Sequence, residues 1–127
     1  MAASFSNASL YAIDSFAKRA GIAAVPAADG TFSFTFERSG TLSFIPGEQQ
    51  DQLVIFIARM PRYPDAERDL KALKLAGEDR HTGRTLYAGV TADGAIALSF
   101  VLDNSEIDVP TVLACIDRLI SAQDELG

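Results

Sequence analysis

Few side chains in this sequence could do chemistry, and their spacing does not form a catalytic group. The chain has one histidine, His81, and one cysteine, Cys115. A histidine that acts as a general base needs an orienting carboxylate and a nucleophile within reach. Asp79 lies two residues before His81, but nothing else nearby marks a triad. We therefore interpret His81 as a solvated loop residue and Cys115 as a structural thiol at the border of an apolar helical stripe.

Metal and cofactor sites are not indicated either. One histidine and one cysteine exclude a metal site built from several such ligands, and they also exclude an intrachain disulfide. The nine glycines form no Gly-x-Gly pair and no Gly-Lys-Ser/Thr sequence, so the sequence predicts neither a dinucleotide-binding loop nor a P-loop. The prediction is a protein that is not an enzyme and that has no metal and no cofactor.

The charge balance narrows the classes of partner. The 127 residues carry 17 acidic and 11 basic side chains, a net charge of −6, and a chain this acidic has no electrostatic affinity for nucleic acids or anionic membranes. The apolar content of 48% is typical of a globular protein, and the length predicts one domain over residues 1–127. No basic residue precedes Lys18, and the apolar runs are too short for a membrane span. We expect a cytoplasmic protein with no membrane insertion, which also suits a single cysteine.

Hydrophobic periodicity predicts the elements that position these residues. Three amphipathic helices are expected, one starting at Ser6 or Ser4, one over 65–76 and one capped by Asp108 and running to about Leu126. Strands are expected at 31–37, 41–46, 53–58, 84–91 and 95–102, with a turn over 38–40. The order α-β-β-β-α-β-β-α with short connections predicts an α+β fold, in which helices flank a mainly antiparallel five-stranded sheet.

The strands carry more apolar surface than one buried face requires. Phenylalanines alternate with polar residues over 31–37, whereas the strand at 53–58 is apolar on both faces. Three phenylalanines left in water would forgo roughly 5–9 kcal/mol, comparable with the net stability of a domain. Either the chain's own helices or a partner chain must therefore cover this surface. We hypothesise that part of it binds a protein, with the candidate residues Phe34, Phe36, Phe44, Val54 and Phe56.

The order of elements and several local sequences resemble those of a known family. An opening amphipathic helix ends at Ala20-Gly21-Ile22, the short middle helix carries Leu70 and Leu73, and Thr82-Gly83 precedes the fourth strand. An alternating apolar strand and an acidic closing helix complete the pattern. In these features the chain is similar to class I type III secretion chaperones, the family that includes the Tir chaperone.

This resemblance implies a fold, a function and partners. It implies a small acidic homodimer of the bacterial cytoplasm that does no chemistry and uses no cofactor. Such a protein binds the N-terminal region of a secreted effector in apolar grooves and keeps it soluble and competent for export. The resemblance also places Leu70 and Leu73 of the middle helix between the two subunits, and it places the effector grooves on the first helix and the first three strands.

Two readings of other classes stay open at this point. One is a small-ligand-binding or enzymatic α+β domain, whose apolar pocket lies between sheet and helices with His81 or Asp79 at its mouth. The other is a regulatory or structural subunit of the secretion machinery that uses the same fold without an effector.

Overall fold

Three helices lie on one face of an antiparallel sheet. The computed structural model describes residues 5–36, 40–47, 49, 51–61 and 65–126. The helices are α1 (Asn7–Ala20), α2 (Ala66–Leu75) and α3 (Val109–Leu126), with a short 3-10 turn at Asn104–Glu106 before α3. The strands are β1 (Phe32–Phe36), β2 (Gly40–Pro46), β3 (Leu53–Arg59), β4 (Gly77–Glu78), β5 (Thr85–Val90) and β6 (Ile96–Leu102).

The sheet has the order β1-β2-β3-β6-β5-β4, so β1 lies at one edge and β4 at the other. Every neighbouring pair is antiparallel. The predicted α+β class and the order of helices and main strands are confirmed. The turn predicted over 38–40 lies partly outside the described residues, because Arg38 and Ser39 are not among them.

The strand count differs from the prediction by one. The two residues of β4 pair with β5, with Gly77 opposite Leu86 and Glu78 opposite Thr85. Gly77 has φ 115°, a backbone conformation open to glycine, and this turns the chain back to the sheet directly after α2. A two-residue strand has no alternating pattern, which explains why the segment resembles a polar connector in the sequence.

Local signals set both ends of α1 and the start of α3 as the sequence predicts, and α2 begins one residue later than predicted because Asp65 is its cap. The Ser6 side chain accepts a hydrogen bond from the Ser9 N–H, and α1 ends at Gly21 in the left-handed conformation. Asp65 caps α2 by accepting from two backbone N–H groups, and the Asp108 carboxylate accepts from the Thr111 N–H at the start of α3.

The hydrophobic core lies between the helices and one face of the sheet, here called the inner face. The pairing of Phe34 with Leu42, of Leu42 with Ile57 and of Ile57 with Leu98 places these side chains on the same face. All three helices contribute buried residues to this one core. The side chain of Phe16 on α1 lies over β1 and β2, with ring centroids 5.5 Å from Phe34 and 5.9 Å from Phe44. The opposite, outer face of the sheet is not part of this core.

Candidate binding surfaces

The exposed side of α2 is the first candidate surface, here called the α2 face (Leu70 and Leu73). All ten residues of α2 are described, and only Ala72 among them is buried. Leu70 is 54% exposed and Leu73 is 50% exposed. These are the two residues that the family resemblance places between two subunits. In the single chain they are available to a partner. That they contact a second copy of the chain stays a prediction.

A second candidate is an apolar cleft beside the first turn of α1, here called the side cleft. Its volume is about 280 Å³. The cleft is lined by the segment around the start of α1, by the connector after α1, by the start of β1 and by the end of β2. The lining residues are Phe5, Leu10, Pro26, Asp29, Gly30, Phe32 and Pro46. It is large enough to accept one or two apolar side chains from another molecule.

One carboxylate at the side cleft carries a charge. The Asp29 Oδ1 atom accepts hydrogen bonds from the Thr31 N–H at 3.1 Å and from the Thr31 hydroxyl at 2.7 Å. Both hydrogen bonds lower the pKa of Asp29 below its usual range, and the one from the Thr31 hydroxyl has the larger effect. The cleft therefore combines an apolar wall with one fixed negative charge at neutral pH.

The edge strand β1 borders the side cleft through Phe32. Within the described residues β1 pairs on one side only, with β2. Its sequence, Phe-Ser-Phe-Thr-Phe, contains no charge and no proline, the usual protections against pairing with a further strand. The outward residues Ser33 and Thr35 are exposed. This edge can accept the main-chain hydrogen bonds of an added strand.

The outer face of the sheet carries a fourth candidate, the outer patch (Ile45, Val54, Phe56, Tyr87 and Val101). The strand register places Ile45, Val54 and Val101 in one row across β2, β3 and β6. Phe56 and Tyr87 lie on either side of Ser99 in the next row. None of the five belongs to the core or packs against it, and Tyr87 is 52% exposed.

The five residues predicted to form one protein-binding surface lie on different faces of the sheet. Phe34 is 5% exposed and Phe44 is fully buried, both beneath Phe16 on the inner face, while Phe36 is half-buried at the end of β1. Val54 and Phe56 lie on the outer face. The prediction of a single surface is therefore wrong, because the chain's own α1 covers Phe34 and Phe44. Only Val54, Phe56 and part of Phe36 remain accessible.

The side chains considered for chemistry are not brought together. His81 is exposed in the loop between β4 and β5, and Cys115 is buried in α3. Burial raises the pKa of the Cys115 thiol to about 11, against the opposing effect of the Arg84 charge. Among the described residues, no three His, Cys, Asp or Glu side chains approach one another as a metal site requires.

Asp79 has a structural partner rather than a catalytic one. Its Oδ2 accepts hydrogen bonds from the Thr82 N–H at 3.1 Å and hydroxyl at 2.7 Å, and its Oδ1 accepts from the Arg118 Nε–H at 2.9 Å. Burial alone would raise the pKa of Asp79, but the hydrogen bonds from Thr82 and Arg118, with the Arg118 charge, outweigh it and lower that pKa.

Sequence reasoning missed this ion pair. The sequence Asp79-x-x-Thr82-Gly83 is typical of a turn in which the aspartate side chain accepts a hydrogen bond from a backbone N–H a few residues later. This pattern is the local signal from which a structural role of Asp79 could have been predicted. Arg118 is the only basic residue in positions 92–127, so its isolation among acids was a second signal. The two partners are 39 positions apart, and the sequence between them carries no sign that they meet.

No helix within the described part of the chain has the length and apolar content that crossing a membrane demands.

The fold is similar to that of solved type III secretion chaperones. The Yersinia pestis chaperone SycH, solved in complex with a stable fragment of YscM2, superposes with a TM-score of 0.67 at 13% identity, covering 92% of this chain and 98% of that one. A chain of the HopA1–SchA chaperone–effector complex gives 0.67 at 13% identity, over 94% and 92% of the two chains. A chain of the heterodimeric ExoU–SpcU complex of Pseudomonas aeruginosa gives 0.62 at 16%, over 90% and 93%. At these identities the likeness establishes the predicted fold.

The sequence comparisons specify the family. A comparison with curated protein sequences gives no match. A family model described as the type III secretory system chaperone SycN matches residues 10–127. The predicted resemblance to type III secretion chaperones is thereby confirmed, although the match does not specify the Tir chaperone. The chain belongs to the type III secretory system chaperone SycN family, whose members are chaperones rather than enzymes, as the sequence predicts.

Proposed function

We propose that this protein is a homodimeric chaperone of the bacterial cytoplasm that binds the N-terminal region of a type III secreted protein and keeps it soluble and competent for export. The family match over residues 10–127 is the observation that carries this proposal. The structures with SycH and SchA support it, because the first holds a fragment of YscM2 and the second is a chaperone–effector complex.

The α2 face is the surface that we assign to the second subunit. A twofold axis brings the same patch of both copies together, so Leu70 and Leu73 would meet their own counterparts. Both leucines are about half exposed in the single chain, which leaves apolar area to be removed from water on association.

The edge of β1 is the surface that we assign to the secreted partner. An extended segment added to this edge would gain main-chain hydrogen bonds with little demand on its sequence. Because Phe32 is both the first residue of β1 and part of the side cleft, a side chain of the added segment can enter the cleft beside Leu10. This combination selects a partner by one apolar anchor and leaves the rest of the segment free to vary.

The charge at the side cleft adds a preference. Asp29 is ionised at neutral pH and is held by its two hydrogen bonds from Thr31. A lysine or arginine next to the apolar anchor of the partner would meet this carboxylate. The net charge of −6 on the chain also favours a positively charged partner segment.

The outer patch is the second contact that we assign to the same segment, through Val54 and Phe56. Adjacent strands are about 4.8 Å apart and an extended chain advances about 3.3 Å per residue, so a few residues suffice to pass from the β1 edge onto the outer face. Phe36 is half-buried at the far end of β1 on the inner face, 6.4 Å from the Phe16 ring, so it borders the β1 edge rather than the outer face. The effector-binding residues that we propose are therefore Phe36, Val54 and Phe56, together with the side cleft.

The test starts from the bound partner. The tagged chain is purified from cells that express a type III secretion system, and limited proteolysis of the complex defines the protected segment of any secreted protein that co-purifies. That segment, made as a peptide, is titrated into the purified chain by calorimetry. Hydrogen exchange is then compared with and without peptide. We expect slower exchange at those β1 amides that do not already bond to β2, and faster aggregation of the secreted protein when the chain is withheld.

Two neighbouring residues of α1 provide a matched pair of variants. Leu10 lines the side cleft, whereas Tyr11 is 69% exposed and does not line it. We expect Leu10→Asp to weaken peptide binding at least tenfold and Tyr11→Asp to leave it unchanged. Protection of a partner segment far from its N-terminus contradicts the proposed client region, and a chain that captures no secreted protein contradicts the proposed function. Equal binding by both variants removes the side cleft from the docking site.

A further inference from the structure

The helix that carries the α2 face buries little of its own surface in the core and is also held by polar contacts. It has ten residues, and a helix of this length is not stable by itself in water. Tertiary burial usually compensates, but here Ala72 is the one fully buried side chain of the helix and Leu75 packs partly on the core. The orientation of α2 therefore depends on other contacts.

The first such contact lies near the start of α2. The Arg68 Nε–H donates to the carbonyl oxygen of Leu126 at 3.2 Å. Leu126 is the last residue of α3, where carbonyl groups have no partner within the helix and the helix dipole is negative. A guanidinium group is a suitable donor for this position, and it joins the first turn of α2 to the end of α3.

The second contact lies just beyond the end of α2. Helix α2 stops at Leu75, and Asp79 follows after the two residues of β4. The carboxylate of Asp79 accepts from the Arg118 Nε–H at 2.9 Å, with side-chain exposures of 3% and 10%. Removing one partner of a charged hydrogen bond this well buried strongly destabilises the fold, because the other charge stays buried without a partner. The first turn of α2 is thus joined to α3 directly, and the end of α2 is joined to α3 indirectly, through β4 and the Asp79–Arg118 pair.

We propose that Arg68 and Asp79 are positioning residues for dimerisation, which hold α2 against α3 and so preorganise Leu70 and Leu73 for a second copy of this chain. Association costs less free energy when the groups at the interface are already ordered. The inference rests on the proposed dimer in one respect: the α2 face must be the surface that the second copy meets.

Arg59 provides a matched control for Arg68. Its Nη1–H donates to the carbonyl oxygen of Gln123 at 3.3 Å, so it also binds the last turn of α3, but it comes from β3 rather than from α2. Arg59→Gln and Arg68→Gln therefore each remove a guanidinium–carbonyl hydrogen bond at the same helix end, and Arg59→Gln also removes an ion pair with Asp124 at 3.9 Å. Only Arg68→Gln removes a contact of α2.

The experiment combines hydrogen exchange with the measurement of association. Exchange of the amides of α2 is followed at a protein concentration where the chain is monomeric, and the dimer dissociation constant is measured by sedimentation. For Arg68→Gln we expect exchange in α2 to accelerate about tenfold while β2 and β3 are unchanged, together with a dissociation constant about tenfold higher. For Arg59→Gln we expect neither change. Equal behaviour of the two variants, or faster exchange in α2 with an unchanged dissociation constant, overturns the inference.

Asp79→Asn tests the second contact while keeping the shape of the side chain. Its effect must appear in α2 more than in β2 and β3, because a general loss of stability accelerates exchange in all of them together. Acceleration that is uniform over these elements contradicts a positioning role. A wild-type chain that stays monomeric at every concentration refutes the proposed dimer instead, and exchange in the monomer still reports whether Arg68 and Asp79 hold α2.

Discussion

Replacing Leu70 by aspartate should dissociate the proposed dimer and leave the protomer folded. The side chain is 54% exposed in the single chain, so its replacement removes little from the protomer's own core. In the proposed dimer the same position would be covered by the partner, and a carboxylate there would lose part of its hydration. Leu73, 50% exposed, has the same environment and provides an independent second variant.

The size of the effect follows from the exposed fraction. Full burial of a leucine is worth about 1.5–3 kcal/mol, so burying the remaining half contributes about 1 kcal/mol per leucine. In the proposed dimer two copies of Leu70 meet across the twofold axis, and truncation to alanine should therefore cost about 2 kcal/mol, or roughly a 30-fold higher dissociation constant. Two desolvated carboxylates add several kcal/mol, so Leu70→Asp should raise the dissociation constant at least about 1000-fold.

The assay is light scattering over a series of protein concentrations, with a thermal melt of each variant to confirm folding. Leu10→Asp serves as the control, because Leu10 is similarly exposed at 42% but lies at the side cleft on α1. It should leave the dimer intact. Light scattering that still reports a dimer for both Leu70→Asp and Leu73→Asp at low concentration would refute the α2 face as the interface.

Three further outcomes are expected. Phe44→Ala should lower the free energy of unfolding, measured in urea, by about 3–5 kcal/mol because Phe44 is fully buried. Phe56→Ala should lower it by at most about half as much, and equal losses would contradict the assignment of Phe44 and Phe56 to opposite faces of the sheet. The folded pKa of Asp79 is lowered, so its contribution is present above about pH 4 and is lost as the pH falls through the folded value; Asp79→Asn should therefore show less loss of stability on acidification than wild type. The Cys115 thiol, with a pKa of about 11, should resist a thiol reagent at pH 8 until the chain unfolds, and rapid labelling of the folded chain would contradict its burial.

The elements of this fold were predictable where a strand or helix has its own signal. Strict alternation marks β1, and a serine cap with a terminal glycine marks α1. The two residues of β4 offered nothing comparable, because their strand character comes only from pairing with Leu86 and Thr85. Pairing of this kind is a property of the folded chain and not of the segment.

The candidate surface was harder to predict than the elements, since alternation fixes the phase within one strand but not between strands. Phe44 and Phe56 are both apolar strand residues, and the sequence groups them together. In the sheet Phe44 lies opposite Ile55 while Phe56 lies opposite Ser43, so they point to opposite faces. A shift of one residue in this register would exchange the two faces. The strand β3 is apolar on both sides and therefore gives no sign of which register is used.

The division between the faces allows one chain to bury its own core and still offer surfaces to the proposed partners. Its core is confined to the inner face, where α1 covers Phe34 and Phe44. The α2 face and the outer patch lie outside this core, and the β1 edge offers backbone groups rather than the buried Phe32 and Phe34, so partners can use these surfaces without competing with folding. Substitutions there should separate binding from stability, whereas substitutions on the inner face should lower both together. Arg68 and Asp79 belong to a third group, because they would change association through the order of α2 while touching neither partner.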